Sequence, residues 1–309
     1  LKKGKKMLEI IKPNTNFDFV GKTKMFLALS GLLIVISIFS VMVKGWQFGI
    51  DFSGGTLVQV KFKSPVEISS IKANLKNVTT REMTVQGFGE ENEYMIRLAG
   101  IVTDLEALSD KIQSSLEQGF GKGSFEIRRV EMVGPRVGKD LRDKATLAVI
   151  FSLIGMLIYI WWRFELRFGV GAIIALAHDV TITVGTLSIT NKPIDLTIIA
   201  ALLTIVGYSV NDTIIVCDRI RENMKKMARE KLEKLINVSI NETLSRTILT
   251  SGTVFLVLIA LFFLGGGVIH DFAFALIIGV IVGTYSSVYI ATPLVIFWEQ
   301  VFPPKKRRR

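Results

Sequence analysis

The sequence has one cysteine in 309 residues. A single thiol, Cys217, allows neither a disulfide framework nor a cysteine-based metal site within one chain. Inside an apolar run it reads as a small core hydrophobe rather than a redox group. A basic face interleaved with aromatics is also missing, so the net charge of +11 gives no reason to expect nucleic acid as a partner. The charge is unevenly placed: residues 44–144 hold 15 Lys or Arg against 14 Asp or Glu, and the excess lies in short loops and tails.

Apolar residues are abundant. Half of the chain is hydrophobic and the mean hydropathy is +0.45, which makes a bilayer the first solvent to consider. Six runs, 25–43, 145–161, 169–189, 196–217, 247–264 and 272–297, are long enough to cross roughly 30 Å of hydrocarbon. The first is too long for a cleavable signal, and 46–51 is no small-residue cleavage site. The third and fourth are joined only by 190–195, with Pro193, and so form an antiparallel pair.

Lys and Arg counts set the expected orientation. The tail 1–24 has seven, the loop 218–246 eight and the tail 305–309 five, whereas 190–195 has only Lys192 and 265–271 none. Both termini are therefore expected in the cytoplasm and 44–144 outside it, with 299–309 as a basic cytoplasmic tail that can also meet anionic membrane lipid. Within 44–144, strand composition at 57–62, 82–88, 94–98 and 124–133 alternates with helical spacing at 66–77 and 103–118. Residues 89–92 are the expected hairpin turn. The order β-α-β-β-α-β predicts an α+β ferredoxin-like plait of about 90 residues, enough for its own core. It contains no phosphate loop, no His-Glu zinc pair and no nucleophile elbow, so binding or coupling is expected of it rather than catalysis, with no metal or cofactor.

Ionisable side chains within hydrocarbon cost about 2.5–3.5 kcal/mol each on insertion scales, which makes each one a functional candidate. His178 and Asp179 lie near the middle of the third run, and Asp212 near the inner end of the fourth. Thr204, Tyr208 and Asp212 recur every fourth residue, with Asn211 alongside, a polar stripe expected to face protein or water. Arg246 opens the fifth run, followed by Thr247, Thr250, Ser251 and Thr253, and falls within guanidinium reach of Asp212. Burial raises a carboxylate's proton affinity and a nearby Arg lowers it, so changing their separation would bind or release a proton. The alternative is a static ion pair that fixes helix packing. His178 and Asp179 can either relay protons or satisfy hydroxyl and backbone groups on adjacent helices. Ala275, Gly279, Gly283, Ser287 and Ala291 give the last run a smooth face for close helix contact.

Several strings occur in a fixed order: Phe-Gly-Ile-Asp-Phe-Ser-Gly-Gly-Thr at 48–56, Val-Gly-Pro-Arg-Val-Gly at 133–138, His-Asp-Val at 178–180, Gly-Tyr-Ser-Val-Asn-Asp-Thr at 207–213, Asp-Arg-Ile-Arg-Glu-Asn at 218–223 and Arg-Thr-Ile-Leu-Thr-Ser-Gly at 246–252. Together they resemble the SecD/SecF family of bacterial protein export, on its SecF side, over nearly the whole chain. The resemblance implies a resistance-nodulation-division fold in which this chain supplies six helices of a twelve-helix unit with SecD. It further implies the SecY-SecE-SecG channel, YajC, YidC and unfolded preprotein as partners, the bacterial inner membrane as location, and the proton gradient as energy source. The family's membrane acid maps onto Asp212 and its arginine onto Arg246, with Asn211, Thr213 and Thr247 as neighbours. Depth alone ranks Asp179 above Asp212, and the resemblance reverses that order. Asp51, Gly54 and Gly55 read as a turn anchoring the plait to the membrane, since paired glycines reach conformations closed to other residues; Gly134 and Pro135 belong to the second motif. The competing functional class is half of a proton-driven exporter of small molecules or lipids, although such exporters carry much larger outer domains.

Overall fold

The computed structural model describes residues 15–76, 78, 83–88, 90–98 and 105–302. Of the expected tails 1–24 and 299–309, residues 1–14 and 303–309 lie outside the described residues, as does the turn residue Gly89. Six helices are long and apolar enough to cross a membrane. They are α1 (Thr23–Lys44), α5 (Pro135–Arg163), α6 (Leu166–Ile189), α7 (Leu196–Lys226), α8 (Leu232–Leu264) and a composite sixth span made of α9 (Gly266–Ser286), a π-helical turn (Ser287–Ala291) and α10 (Thr292–Val301).

Between the first two spans, the one-turn helix α2 (Ile50–Ser53) leads into β1 (Gly55–Phe62), α3 (Ile68–Leu75), β2 (Met83–Phe88), β3 (Glu90–Leu98), α4 (Leu105–Phe120) and β4 (Phe125–Val133). The order of elements is the β-α-β-β-α-β anticipated from composition. All strand pairs are antiparallel and the sheet order is β2-β3-β1-β4. Alternating Val58, Val60 and Phe62 of β1 point to one face, where Ile71 and Leu75 of α3 and Leu108, Ile112 and Leu116 of α4 close the core. Every fourth residue of α4 thus meets the sheet. Ile71, Ile96 and Leu116 are fully buried, and truncating any of them to Ala should cost about 2–5 kcal/mol.

Several boundaries differ from the sequence reading: residues 90–92, expected in the hairpin turn, belong to β3, residues 266–271, expected in a connection, belong to α9, and spans run past their apolar limits. The segment 218–246, expected to be a loop, is helical except for 227–231. Its polar side chains satisfy one another: Arg219 Nε donates to Glu242 at 2.6 Å, and Asn223 Nδ2 donates to Ser239 Oγ at 3.0 Å and Glu242 at 2.6 Å. The hairpin therefore continues past the apolar limit of both spans. Likewise α5 begins ten residues before the apolar run, because Pro135 sits in its first turn, where a missing N–H costs nothing.

In the bundle, α9 packs against α6, α7 and α8, and α1 lies on α6. The smooth face expected on the last span is what permits this. A Cβ on Gly279 would lie 2.3 Å from the Ile205 side chain, and one on Gly283 would lie 3.1 Å from Ser209. Cys217 is buried in a cluster with Val216, Ile220 and Ile236, the small-hydrophobe role expected of it.

Candidate functional site

Two buried carboxylates share the α7–α9 junction, and their surroundings differ. Asp179, on α6, is fully buried and completely partnered. Its Oδ1 faces His178 Nδ1 at 2.8 Å, while its Oδ2 accepts from Ser209 Oγ of α7 at 2.5 Å and from Ser286 Oγ of α9 at 2.8 Å. One side chain thereby ties three helices together. His178 stacks near Tyr285, whose hydroxyl meets Ser30 Oγ at 2.7 Å and donates to Phe26 O of α1. The Nε2 of His178 is buried without a hydrogen-bond partner among the described residues.

Asp212, on α7, is equally buried but poorly held. Its Oδ2 accepts only long bonds, from Ser251 Oγ of α8 at 3.3 Å and Thr284 Oγ1 of α9 at 3.4 Å. Its Oδ1 has no partner among the described residues. The two hydroxyls are better satisfied by each other, at 2.8 Å, and by Tyr208 OH, which donates to Ser251 Oγ at 2.9 Å. A buried ionised carboxylate with this little support is costly.

Arg246, which the sequence places within guanidinium reach of Asp212, is exposed, and no ion pair within 4.0 Å joins the two. The static ion pair is therefore not formed in this conformation. Thr247 and Thr213 are buried, and Thr247 Oγ1 also has no partner among the described residues. Asn211 and Thr204 point to the exposed side of α7, so the polar stripe turns away from the bundle at both positions. The residues that sequence reasoning missed are Thr284, Ser209 and Ser286. Thr284 and Ser286 lie beside the smooth face of the last span, where a hydroxyl looks like another small packing residue.

The second motif cluster forms a corner at the other end of α7. Gly49 N donates to Ile194 O at 2.8 Å and Ile194 N donates to Gln47 O at 2.7 Å, which joins the segment before α2 to the α6–α7 connection. Asp51 Oδ2 accepts from Leu196 N at 3.1 Å, and Asp195 Oδ1 accepts from Ile198 N at 2.8 Å, so two carboxylates cap the start of α7. Gly54 has φ +70°, and a Cβ there would lie 3.1 Å from Pro135 Cα; a Cβ on Gly138 would lie 3.1 Å from Gly54 N. The two glycine-bearing motifs thus touch backbone to backbone, with Gly134 as the N-cap of α5. Burial pushes the Asp195 carboxyl up to about 6, opposed by its bond from Ile198 N, with Asp51 and Asp271 adding to the rise. Burial also lowers the Arg97 guanidinium, against the pull of Asp195, Asp271 and Asp51. No group of three or more His, Cys, Asp or Glu among the described residues is arranged to hold a metal ion.

Fold and site together define a multi-pass helical membrane protein with a small sheet domain between its first two spans and unequal carboxylates buried where its helices cross. The family model described as Protein export membrane protein SecD/SecF, C-terminal, matches residues 112–301, and the SecD/SecF GG Motif matches residues 39–66. The chain is 50% identical to Protein translocase subunit SecF of Calditerrivibrio nitroreducens, over 93% of this chain and 96% of that one, and 44% identical to the SecF of Vibrio alginolyticus, over 97% and 96%. The chain belongs to the SecD/SecF family of protein-export membrane proteins, as a SecF-type translocase subunit. Among solved structures it resembles SecDF of Thermus thermophilus, a translocon-associated membrane protein, with a TM-score of 0.83 and 37% identity over 94% of this chain. It spans only 40% of the length of that SecDF chain.

Proposed function

We propose that the protein is an auxiliary subunit of the Sec preprotein translocase that acts with SecD and draws on the proton motive force to promote export across, and release from, the bacterial inner membrane. The observation that carries this reading is Asp212: wholly buried, one oxygen bare, with Arg246 close but unpaired. Such a carboxylate can gain and lose a proton at small structural cost, and Arg246 moving toward it would favour the ionised form. Thr213 and Thr247 flank the exchange and Asn211 faces outward beside it, toward the side that a second half would cover, whereas His178 and Asp179 serve the packing of α6, α7 and α9. The likeness to SecDF, of which this chain spans less than half, supports SecD as the source of six further helices. The exposed face of α7 and α8 that bears Arg246 is where a second half would complete the site.

In this reading both termini are cytoplasmic, and the sheet domain is a ferredoxin-like periplasmic unit. The SecY-SecE-SecG channel, YajC and YidC are the neighbours, and unfolded preprotein is the cargo. No enzymatic step is required of the chain. The relatives compared are named as translocase subunits, which does not favour an exporter of small molecules or lipids. The test is export of a reporter preprotein with SecD present and the proton gradient either imposed or collapsed. Asp212→Asn and Arg246→Ala should each remove the gradient-dependent part. Normal gradient-dependent export by Asp212→Asn across a range of pH would overturn the proton-carrier assignment.

A further inference from the structure

The outer sheet has two edges of opposite character. At one, β4 carries Glu126, Arg128, Arg129 and Glu131, the kind of charged edge that keeps other strands from pairing. At the other, β2 reads Met-Thr-Val-Gln-Gly-Phe, without a charge or a proline. Among the described residues no strand pairs with its outer side.

That open edge faces a cleft of about 990 Å³ between the sheet and the outer ends of the membrane helices. Residues 84–88 all line it. A cleft over one sheet face would meet alternate residues only, so this one runs along the backbone edge as well. Gly87, at a register shift in the β2–β3 pairing, has open space where a side chain would sit. The opposite wall presents Trp46 and Phe48, which are 59% and 40% exposed. Arg97, whose Nε is buried without a partner among the described residues, and the Lys192–Asp271 ion pair supply polar groups.

We propose that this cleft binds an extended segment of unfolded polypeptide as an added strand on β2. The inference rests on the reading of the chain as a translocase subunit and names where that subunit holds its cargo. Main-chain pairing is indifferent to sequence, which suits a cargo of varied sequence, and the aromatic wall holds apolar side chains as they pass. A permanently docked subunit would be met by a mostly apolar interface, whereas these walls mix charge, amide and aromatic groups. The occupant would lie against both the outer domain and the α6–α7 connection, directly over the corner that caps α7.

The experiment uses the full chain with SecD in membrane vesicles, a photoreactive residue at position 84 or 86, and a reporter preprotein stalled in mid-translocation. The expected result is a crosslink to the stalled chain that disappears without it. Gln86→Lys, which gives β2 the charge that β4 already has, should weaken the crosslink about fivefold, whereas Gln86→Thr should retain it. Crosslinks that go to SecD regardless of cargo, or no cargo crosslink from either position, overturn the proposal. Asp212→Asn in the same vesicles separates the two claims. If it abolishes gradient-dependent export while Gln86→Lys leaves crosslinking and export unchanged, strand docking fails and the proton reading stands. If it exports normally while the cargo crosslinks persist, the proton reading fails and strand docking stands.

Discussion

Replacing each buried carboxylate in turn should separate stability from function. In Asp179→Ala, Ser209 and Ser286, which are 1% and 0% exposed, lose their acceptor and His178 loses the partner of its Nδ1. Hydrogen bonds between membrane helices average about 0.6 kcal/mol in one well-measured bundle and reach about 1–2 kcal/mol in model peptides. Three such bonds give about 2 kcal/mol at the low end and about 6 kcal/mol at the high end. Asp212→Asn removes far less, because both bonds to Oδ2 are 3.3 Å or longer and a neutral amide is cheaper to bury than a carboxylate. Its stability should stay within about 1 kcal/mol of the parent.

The assay is reversible unfolding of the purified chain in bicelles, paired with gradient-dependent export from the same variants. The expected pattern is crossed: Asp179→Ala loses stability, and Asp212→Asn loses gradient dependence while remaining stable. If Asp179→Ala unfolds within about 0.5 kcal/mol of the parent, or if Asp212→Asn is the less stable of the two, partner count does not distinguish structural from working carboxylates here.

Gly185→Ala should loosen α1 from α6, since the new Cβ would sit 2.2 Å from the Ser37 side chain; overpacking of this kind costs about 1–3 kcal/mol and should appear as a lowered melting temperature. Gly54→Ala combines a φ of +70° with a Cβ 3.1 Å from Pro135, a strain of about 1–3 kcal/mol that should make the sheet domain more protease-sensitive before the bundle unfolds. Asp195, raised from 3.8 to about 6, holds its proton more tightly folded than unfolded, so its contribution to stability falls as pH rises from about 4 to about 6 and is level above that. Hydrogen exchange in the first turn of α7, corrected for intrinsic rates, should show that loss of protection over the same interval, and Asp195→Asn should flatten it.

The spans were legible because about twenty apolar residues in a row have few other uses, and the sheet domain because its apolar residues alternate in strands and recur every fourth position in Leu108, Ile112 and Leu116. Span ends were not. Hydropathy falls at Cys217, but the helix continues to Lys226 because Arg219 and Asn223 find Glu242 and Ser239 on α8, a pairing that depends on the hairpin already being formed. The site was half legible. Charge in an apolar run marked Asp179, Asp212 and Arg246, yet the feature that ranks the two carboxylates, how many hydroxyls reach each, depends on Ser209, Ser251, Thr284 and Ser286 arriving from other helices. A motif string such as Asp-Phe-Ser-Gly-Gly likewise suggested a turn without revealing that its aspartate caps a helix more than 140 residues away in sequence.

That cap gives α7 a position between the two ends of the molecule. From Leu196, held by Asp51, to Asp212 is 16 residues, about 24 Å of continuous helix. The interval contains no proline and no π turn, and although Gly207 and Ser209 lie near its end, Ser209 is held by Asp179 and the α-helix is unbroken from Leu196 to Lys226. A displacement of the glycine corner is therefore delivered to Asp212 as rotation or axial shift of the whole helix rather than absorbed by bending. The sixth span is built differently: its π turn begins at Ser287, directly after Ser286 and three residues beyond Thr284. Both carboxylates thus bond on one side to a helix that stays straight, or lies on it, and on the other to one with a register fault beside the contact. Ser209 and Ser286 fix the Asp179 junction with short bonds, so relative motion of α7 and α9 is resisted there and taken up where the bonds are longest, at Asp212. In the proposed cycle, the place that yields is the place that exchanges the proton.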